Sequence, residues 1–176
     1  MMRELAKFLA PIHRRVRLMI SRGVLALVND ALKMQSVQVQ LLSGETREME
    51  RFQNYGFSSV PHKGAEAVAA FVGGSRDHGI VIVIDDRRYR LTGLQAGEVA
   101  IYTDEGDKIV FQRGRVIEIT AGTKIRMVTP LLECTGEIKD RCNSDGRTME
   151  DMRNIYDGHT HPGDSGGTTG APNQVM

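Results

Sequence analysis

Isoleucine recurs at every eighth position, at Ile101, Ile109, Ile117 and Ile125, and Thr103, Phe111, Ile119 and Met127 stand two positions beyond each. Residues i and i+2 of an extended chain point to the same side. Each octad therefore offers one short strand with a mostly apolar edge. Turn-formers separate the strands: Glu105-Gly106-Asp107, Arg113-Gly114-Arg115 and Ala121-Gly122-Thr123. Strand-turn units that cannot bury their own faces must stack, which predicts a β-solenoid or β-helix over residues 91–158 rather than a compact sandwich.

Upstream the pattern changes to irregularly spaced short strands, expected at Val16–Ile20, Ser36–Leu41, Glu48–Phe52, Ala67–Phe71 and Ile80–Ile84. Gly23, Ser43-Gly44, Gly56, Pro61 and Gly73-Gly74 punctuate them. Five strands between residues 15 and 90 is the number an OB-fold barrel needs. Before them, residues 1–14 carry Leu5, Phe8, Leu9 and Ile12 at helical spacing and form an N-terminal arm. After Ile125 the octads slip. Met149, Met152, Ile155 and Tyr156 then take helical spacing, where we expect a break or taper of the array.

The run from Gly158 to Gly167 reads Gly-His-Thr-His-Pro-Gly-Asp-Ser-Gly-Gly and opens the segment 159–176. His159 and His161, at i and i+2, project their imidazoles to one side of an extended segment. Two ligands are too few for a stable site, since zinc takes about four and octahedral metals about six. Three copies on a three-fold axis would supply six imidazole nitrogens, a donor set better suited to Fe(II) or Ni(II) than to tetrahedral zinc or to oxygen-seeking calcium. Iron is the expected metal.

Three features together carry a resemblance: the edge Gly79-Ile80-Val81-Ile82 following Gly73-Gly74-Ser75-Arg76-Asp77-His78, the octads, and the run His159-Thr160-His161-Pro162-Gly163-Asp164. In these, over essentially the whole chain, the protein resembles the central spike proteins of contractile-tailed phages, the Mu and P2-like spikes. The resemblance implies an all-β homotrimer, with an N-terminal OB-fold followed by an intertwined three-stranded β-helix closed at its tip by one iron. His159 and His161 of each of three chains match the tip motif. Spikes of this kind can also hold a calcium near the tip, and Asp164 is the first candidate for it. The implied protein is a non-catalytic spike at the baseplate tip of the virion. It would dock on the baseplate hub protein and pierce the host outer membrane on tail contraction.

Composition agrees. A net charge of +1 argues for neither nucleic acid nor acidic lipid, and 40% hydrophobic content is enough for a folded core. The apolar runs fall well short of the ~20 residues of a membrane helix, and Arg3, Glu4, Lys7, Arg14, Arg15 and Arg17 interrupt any signal-like core. Assembly in the host cytoplasm is expected. Cys134 and Cys142, one octad apart, are expected to be small buried side chains in a reduced compartment.

Two other readings compete. An OB-fold nucleic-acid-binding module would need aromatics interleaved with cations. The chain has no Trp, and Arg87-Arg88-Tyr89-Arg90 is its one basic cluster with an aromatic. A small HxH metal-dependent hydrolase would need further ligands and an open position for water, yet the remaining histidines, His13, His62 and His78, are scattered. Gly163-Asp164-Ser165-Gly166-Gly167 looks like the sequence around a serine-protease nucleophile, but without a positioned His and Asp no catalysis is expected at Ser165. Neither nucleic acid nor a small-molecule substrate is an expected partner.

Overall fold

The computed structural model describes residues 2–42 and 44–176, with the backbone alone for residues 2–6. The chain forms two compact units, one up to Lys124 and one from Ile125 to Met176. The fold is mostly β. In the first unit, helix α1 (Met2–Leu18) leads into β1 (Ile20–Asn29), β2 (Ser36–Leu41), β3 (Thr46–Arg51), β4 (Glu66–Phe71) and β5 (Gly79–Asp85). These strands close into a barrel in the order β1-β2-β3-β5-β4. Every pairing is antiparallel except β3 with β5, where Glu50 faces Ile80 and Arg51 faces Val81. The result is an OB-like barrel.

Period-two alternation builds its core. Val37, Val39 and Leu41 of β2 and Ala67, Ala69 and Phe71 of β4 point inward to meet Leu25, Met49, Ala65 and Val81. Full burial of a side chain such as Phe71 contributes about 1.5–3 kcal/mol. Strand β1 pairs with β2 on one side and β4 on the other, with a bulge between Leu25 and Leu27 that bends it around the barrel. Gly23 sits in both pairings. A Cβ there would lie 2.5 Å from Val39 Cγ1 and 2.6 Å from the Gln40 carbonyl oxygen, so the two strands can approach only at glycine.

This corrects two expectations. Gly23 lies inside a strand instead of ending one, and Val16–Ile20 is not the first strand. Helix α1 runs through Pro11 to Leu18, because the apolar spacing of Leu9, Ile12, Val16 and Met19 keeps a helical period past the proline.

The first three octads are strands β6 (Val99–Tyr102), β7 (Lys108–Gln112) and β8 (Val116–Thr120), an antiparallel meander. Its turns are set by carboxylates in a repeating relation. Glu98 accepts from the Arg113 N–H at 3.0 Å and Asp107 from the Gly122 N–H at 2.9 Å. Glu98 also accepts from the Gln95 N–H, and these backbone donors hold its carboxyl below the usual range. Gly114 and Arg115 both take positive φ, 83° and 67°, as a tight hairpin turn requires.

Register places Val99, Phe111 and Ile117 in one row and Ile101, Ile109 and Ile119 in the next, all on one face. Five of the six are exposed, from 46% at Phe111 to 60% at Ile117. On the other face Val110 is buried.

In the second unit no strand longer than an isolated bridge forms among the described residues, and Ile125, Met127, Val128, Leu131 and Leu132 stand exposed. Helix α2 (Met149–Gly158) follows, where the apolar spacing had pointed to a helix and a taper of the array had been expected. A capping box starts it: the Asp151 N–H donates to Thr148 Oγ1 and the Thr148 N–H to Asp151 Oδ2, both at 3.0 Å. No residue from Ile125 onward is fully buried. Cys134 and Cys142 are accordingly exposed free thiols, correcting the expectation of buried ones, because this unit has no core of its own to receive them. No helix among the described residues is long and apolar enough to cross a membrane.

Candidate metal centre

Helix α2 delivers the histidine segment. Its C-cap is His159, whose backbone leaves the helix extended at φ −73° and ψ 148°. The following residues close a small clasp. The Gly163 N–H donates to the Gly167 carbonyl at 2.7 Å, and Pro162 bridges Thr168. His161 is tied into it twice by its backbone: its N–H donates to Thr169 Oγ1 at 2.8 Å, and its carbonyl accepts from the Thr169 N–H at 2.9 Å. Both histidines thus hang from backbone held by hydrogen bonds.

The two rings lie edge to face with centroids 5.0 Å apart. His159 also meets the Tyr156 ring, centroid to centroid 5.3 Å. Its Nδ1 is 2.5 Å from the Tyr156 carbonyl oxygen. A carbonyl only accepts, so Nδ1 carries the proton, and Nε2 is the nitrogen whose lone pair a metal would take. That is the arrangement in which metal-binding histidines are oriented by a hydrogen bond at their other nitrogen.

The donor set fits a nitrogen-seeking metal but is incomplete in one chain. Among the described residues no group of three or more His, Cys, Asp or Glu could hold a metal ion. Asp164 lies in the turn of the clasp, exposed, where its Oδ1 accepts from Ser165 Oγ at 3.3 Å. Ser165 is thereby bonded to a neighbouring carboxylate and not to a histidine.

The other candidates lie in the first unit. His62 Nε2 is 3.0 Å from Asp104 Oδ2. The pair joins the loop before β4 to the turn after β6, beside a cleft of about 570 Å³ that Tyr89 and Tyr102 also line. Of the basic cluster, Arg87 pairs with Glu66, and Arg88 with Asp86 at 2.6 Å. That pairing holds the Asp86 carboxyl below its usual range and raises the Arg88 guanidinium. Most of this cluster's charge is spent within the chain. The sequence reading missed the backbone clasp around His161, although Thr168-Thr169 after two glycines was the available signal.

Residues 22–88, most of the barrel, match the family described as Bacteriophage Mu Gp45, N-terminal. The chain is 41% identical over 186 aligned positions, covering 94% of each chain, to the "Baseplate puncturing device gp45" of Escherichia phage Mu. It is 38% identical to the "Mu-like prophage FluMu protein gp45" of Haemophilus influenzae, over 77% of this chain and 74% of that one.

Proposed function

The chain belongs to the bacteriophage Mu Gp45 family, and from that premise we propose that it is the structural spike at the tip of a contractile-tail baseplate. On contraction it is driven through the host outer membrane, and it catalyses no reaction. The role for which its Mu relative is named, a baseplate puncturing device, supports this reading.

One observation carries the assembly. The apolar face of β6, β7 and β8 is uncovered, and nothing from Ile125 onward is fully buried. A segment with no buried side chain cannot offset the entropy of ordering its backbone, about 1–2 kcal/mol per residue. Copies of the chain supply the missing cover. Three of them, wound together, bury the rows Val99-Phe111-Ile117 and Ile101-Ile109-Ile119 against one another in a β-helical shaft. The barrel of β1 to β5 sits at its base on the hub, and the segment 159–176 forms its tip.

Three copies also complete the metal centre. Each contributes His159 and His161, and six neutral imidazoles suit one iron per trimer and leave no position for a reactive water. When bound, the metal acts as a structural cross-link between chain ends. Structural metal sites contribute on the order of 10 kcal/mol of apparent binding energy. A structural role of this kind needs no open coordination site and no substrate pocket.

Labelling the chain in intact particles tests the assignment. Label at the baseplate tip of extended tails is the expected result. Label distributed along the sheath, or none on purified particles, would contradict it.

A further inference from the structure

The histidine segment meets the tail of the chain in a short antiparallel ladder in which one donor is answered by a side chain. The Gly163 N–H donates to the Gly167 carbonyl at 2.7 Å, and the Thr169 N–H to the His161 carbonyl at 2.9 Å. Between these bonds Pro162 faces Thr168. That is the pair position at which an antiparallel ladder asks for no N–H, so a proline fits it. At the flanking position two residues ordinarily exchange both N–H···O=C bonds. The backbones of His161 and Thr169 exchange only one. The His161 N–H goes instead to Thr169 Oγ1, at 2.8 Å, so that a hydroxyl stands in for the missing carbonyl.

The two histidines are therefore held in different ways. His159 is fixed from its ring, by the contact of Nδ1 with the Tyr156 carbonyl. Among the described residues no hydrogen bond reaches the His161 ring, whose one aromatic contact is the edge-to-face meeting with His159, centroids 5.0 Å apart. The place of His161 is set by its main chain. The proline that follows biases it towards extended backbone, and Thr169 takes up both its N–H and its carbonyl. Water competes with each of these exposed bonds. The segment is held because two of them meet on one residue and a third, at Gly163, closes the turn.

We propose that Thr169 is a positioning residue of the metal centre, its hydroxyl holding the His161 backbone so that the imidazole stands beside that of His159. This role rests on the iron site proposed above. It is a requirement on a side chain and not on the backbone alone, which makes it separable from the fold of the tail. Valine has the shape of threonine and keeps the Thr169 N–H, but it removes the acceptor. Serine keeps the acceptor. Loss of an outer partner of a ligand typically weakens metal binding by about 10–100-fold.

The experiment compares the full chain with Thr169→Val, Thr169→Ser and Thr168→Val, the last a like change at the neighbouring residue, which faces Pro162 through its backbone. Each is loaded anaerobically with Fe(II). Elemental analysis gives the iron per trimer, competition with a ferrous chelator gives the affinity, Mössbauer spectra report the ligand arrangement, and light scattering gives the mass. The expected result is that Thr169→Val remains a trimer but binds Fe(II) about tenfold more weakly or worse, with an altered spectrum, while Thr169→Ser and Thr168→Val match the wild type. Wild-type affinity and spectrum in Thr169→Val overturn the role. So does equal weakening in Thr168→Val or Thr169→Ser, which would assign the effect to the stability of the tail. A wild-type trimer that takes up no Fe(II) overturns the metal centre itself, and the role of Thr169 with it. Thr169→Ala repeats the comparison should Thr169→Val fail to fold.

Discussion

His159 Nδ1 lies 2.5 Å from the carbonyl oxygen of Tyr156, the residue one turn back on α2. The helix end thus fixes the protonated nitrogen, and with it which nitrogen of His159 is free to bind metal. Replacing His159 and His161 together with Ala should abolish bound iron and raise amide exchange from Asp157 onward. The melting of the barrel should stay unchanged, because its core of Leu25, Val39, Phe71 and their neighbours owes nothing to the tip. Elemental analysis and hydrogen exchange of wild type and variant give both answers, and iron retained at the wild-type ratio would rule out these ligands.

The sheet face makes a prediction of contrast. Phe111 is half exposed in one chain and is buried by the copies proposed above, so Phe111→Ala should weaken assembly by about 3–5 kcal/mol, the usual cost of emptying a buried aromatic site. Tyr55 is fully exposed in the loop after β3, and Tyr55→Ala should change stability by no more than about 0.5 kcal/mol. Denaturant titration of the two variants distinguishes them. Equal effects would mean that the face stays bare.

At Gly23 the barrel has no room for a methyl group. Gly23→Ala places a Cβ against Val39 Cγ1 and the Gln40 backbone, and the backbone oxygen cannot move aside without breaking the β1–β2 ladder. A loss of about 1–3 kcal/mol is expected, the range for overpacked cores. An unchanged midpoint in urea would show that β1 and β2 separate more easily than their register suggests.

The start of α2 predicts a pH dependence. The N–H and then the hydroxyl of Thr148 hold the Asp151 carboxyl below its ordinary range. A depressed folded value means that the stabilisation is complete above the ordinary carboxylate range and is lost as pH falls through the lower folded value. Helical signal from α2 should therefore fade on acidification, and Asp151→Asn should remove that dependence. Thr148→Ala should cost about 1 kcal/mol of helix stability at neutral pH. A cap with the same pH profile in Asp151→Asn would show that another group controls it.

Legibility of the sequence followed the strength of local pattern. Strand β2 was readable to the residue, because Ser36 to Leu41 alternates without interruption, and the octads gave β6, β7 and β8 their positions. The first strand was misread because Gly23, a turn-former by composition, is needed there for a close approach of β1 to β2 that only tertiary structure reveals. Two histidines at i and i+2 marked the candidate metal centre. The orientation of His159 was not readable, since it depends on where α2 ends, and the apolar spacing of Met149 to Tyr156 competed with the expected continuation of the array. The exposure of Cys134 and Cys142 was hidden for a related reason: composition suggests burial, but this unit offers no core.

The proposed spike requires copies of the chain to cover one another's apolar faces. Light scattering coupled to size exclusion on the purified full chain measures that directly. The predicted result is a single species at three times the 19.5 kDa mass of one chain, unchanged on dilution to micromolar concentration. A monodisperse folded monomer would contradict it.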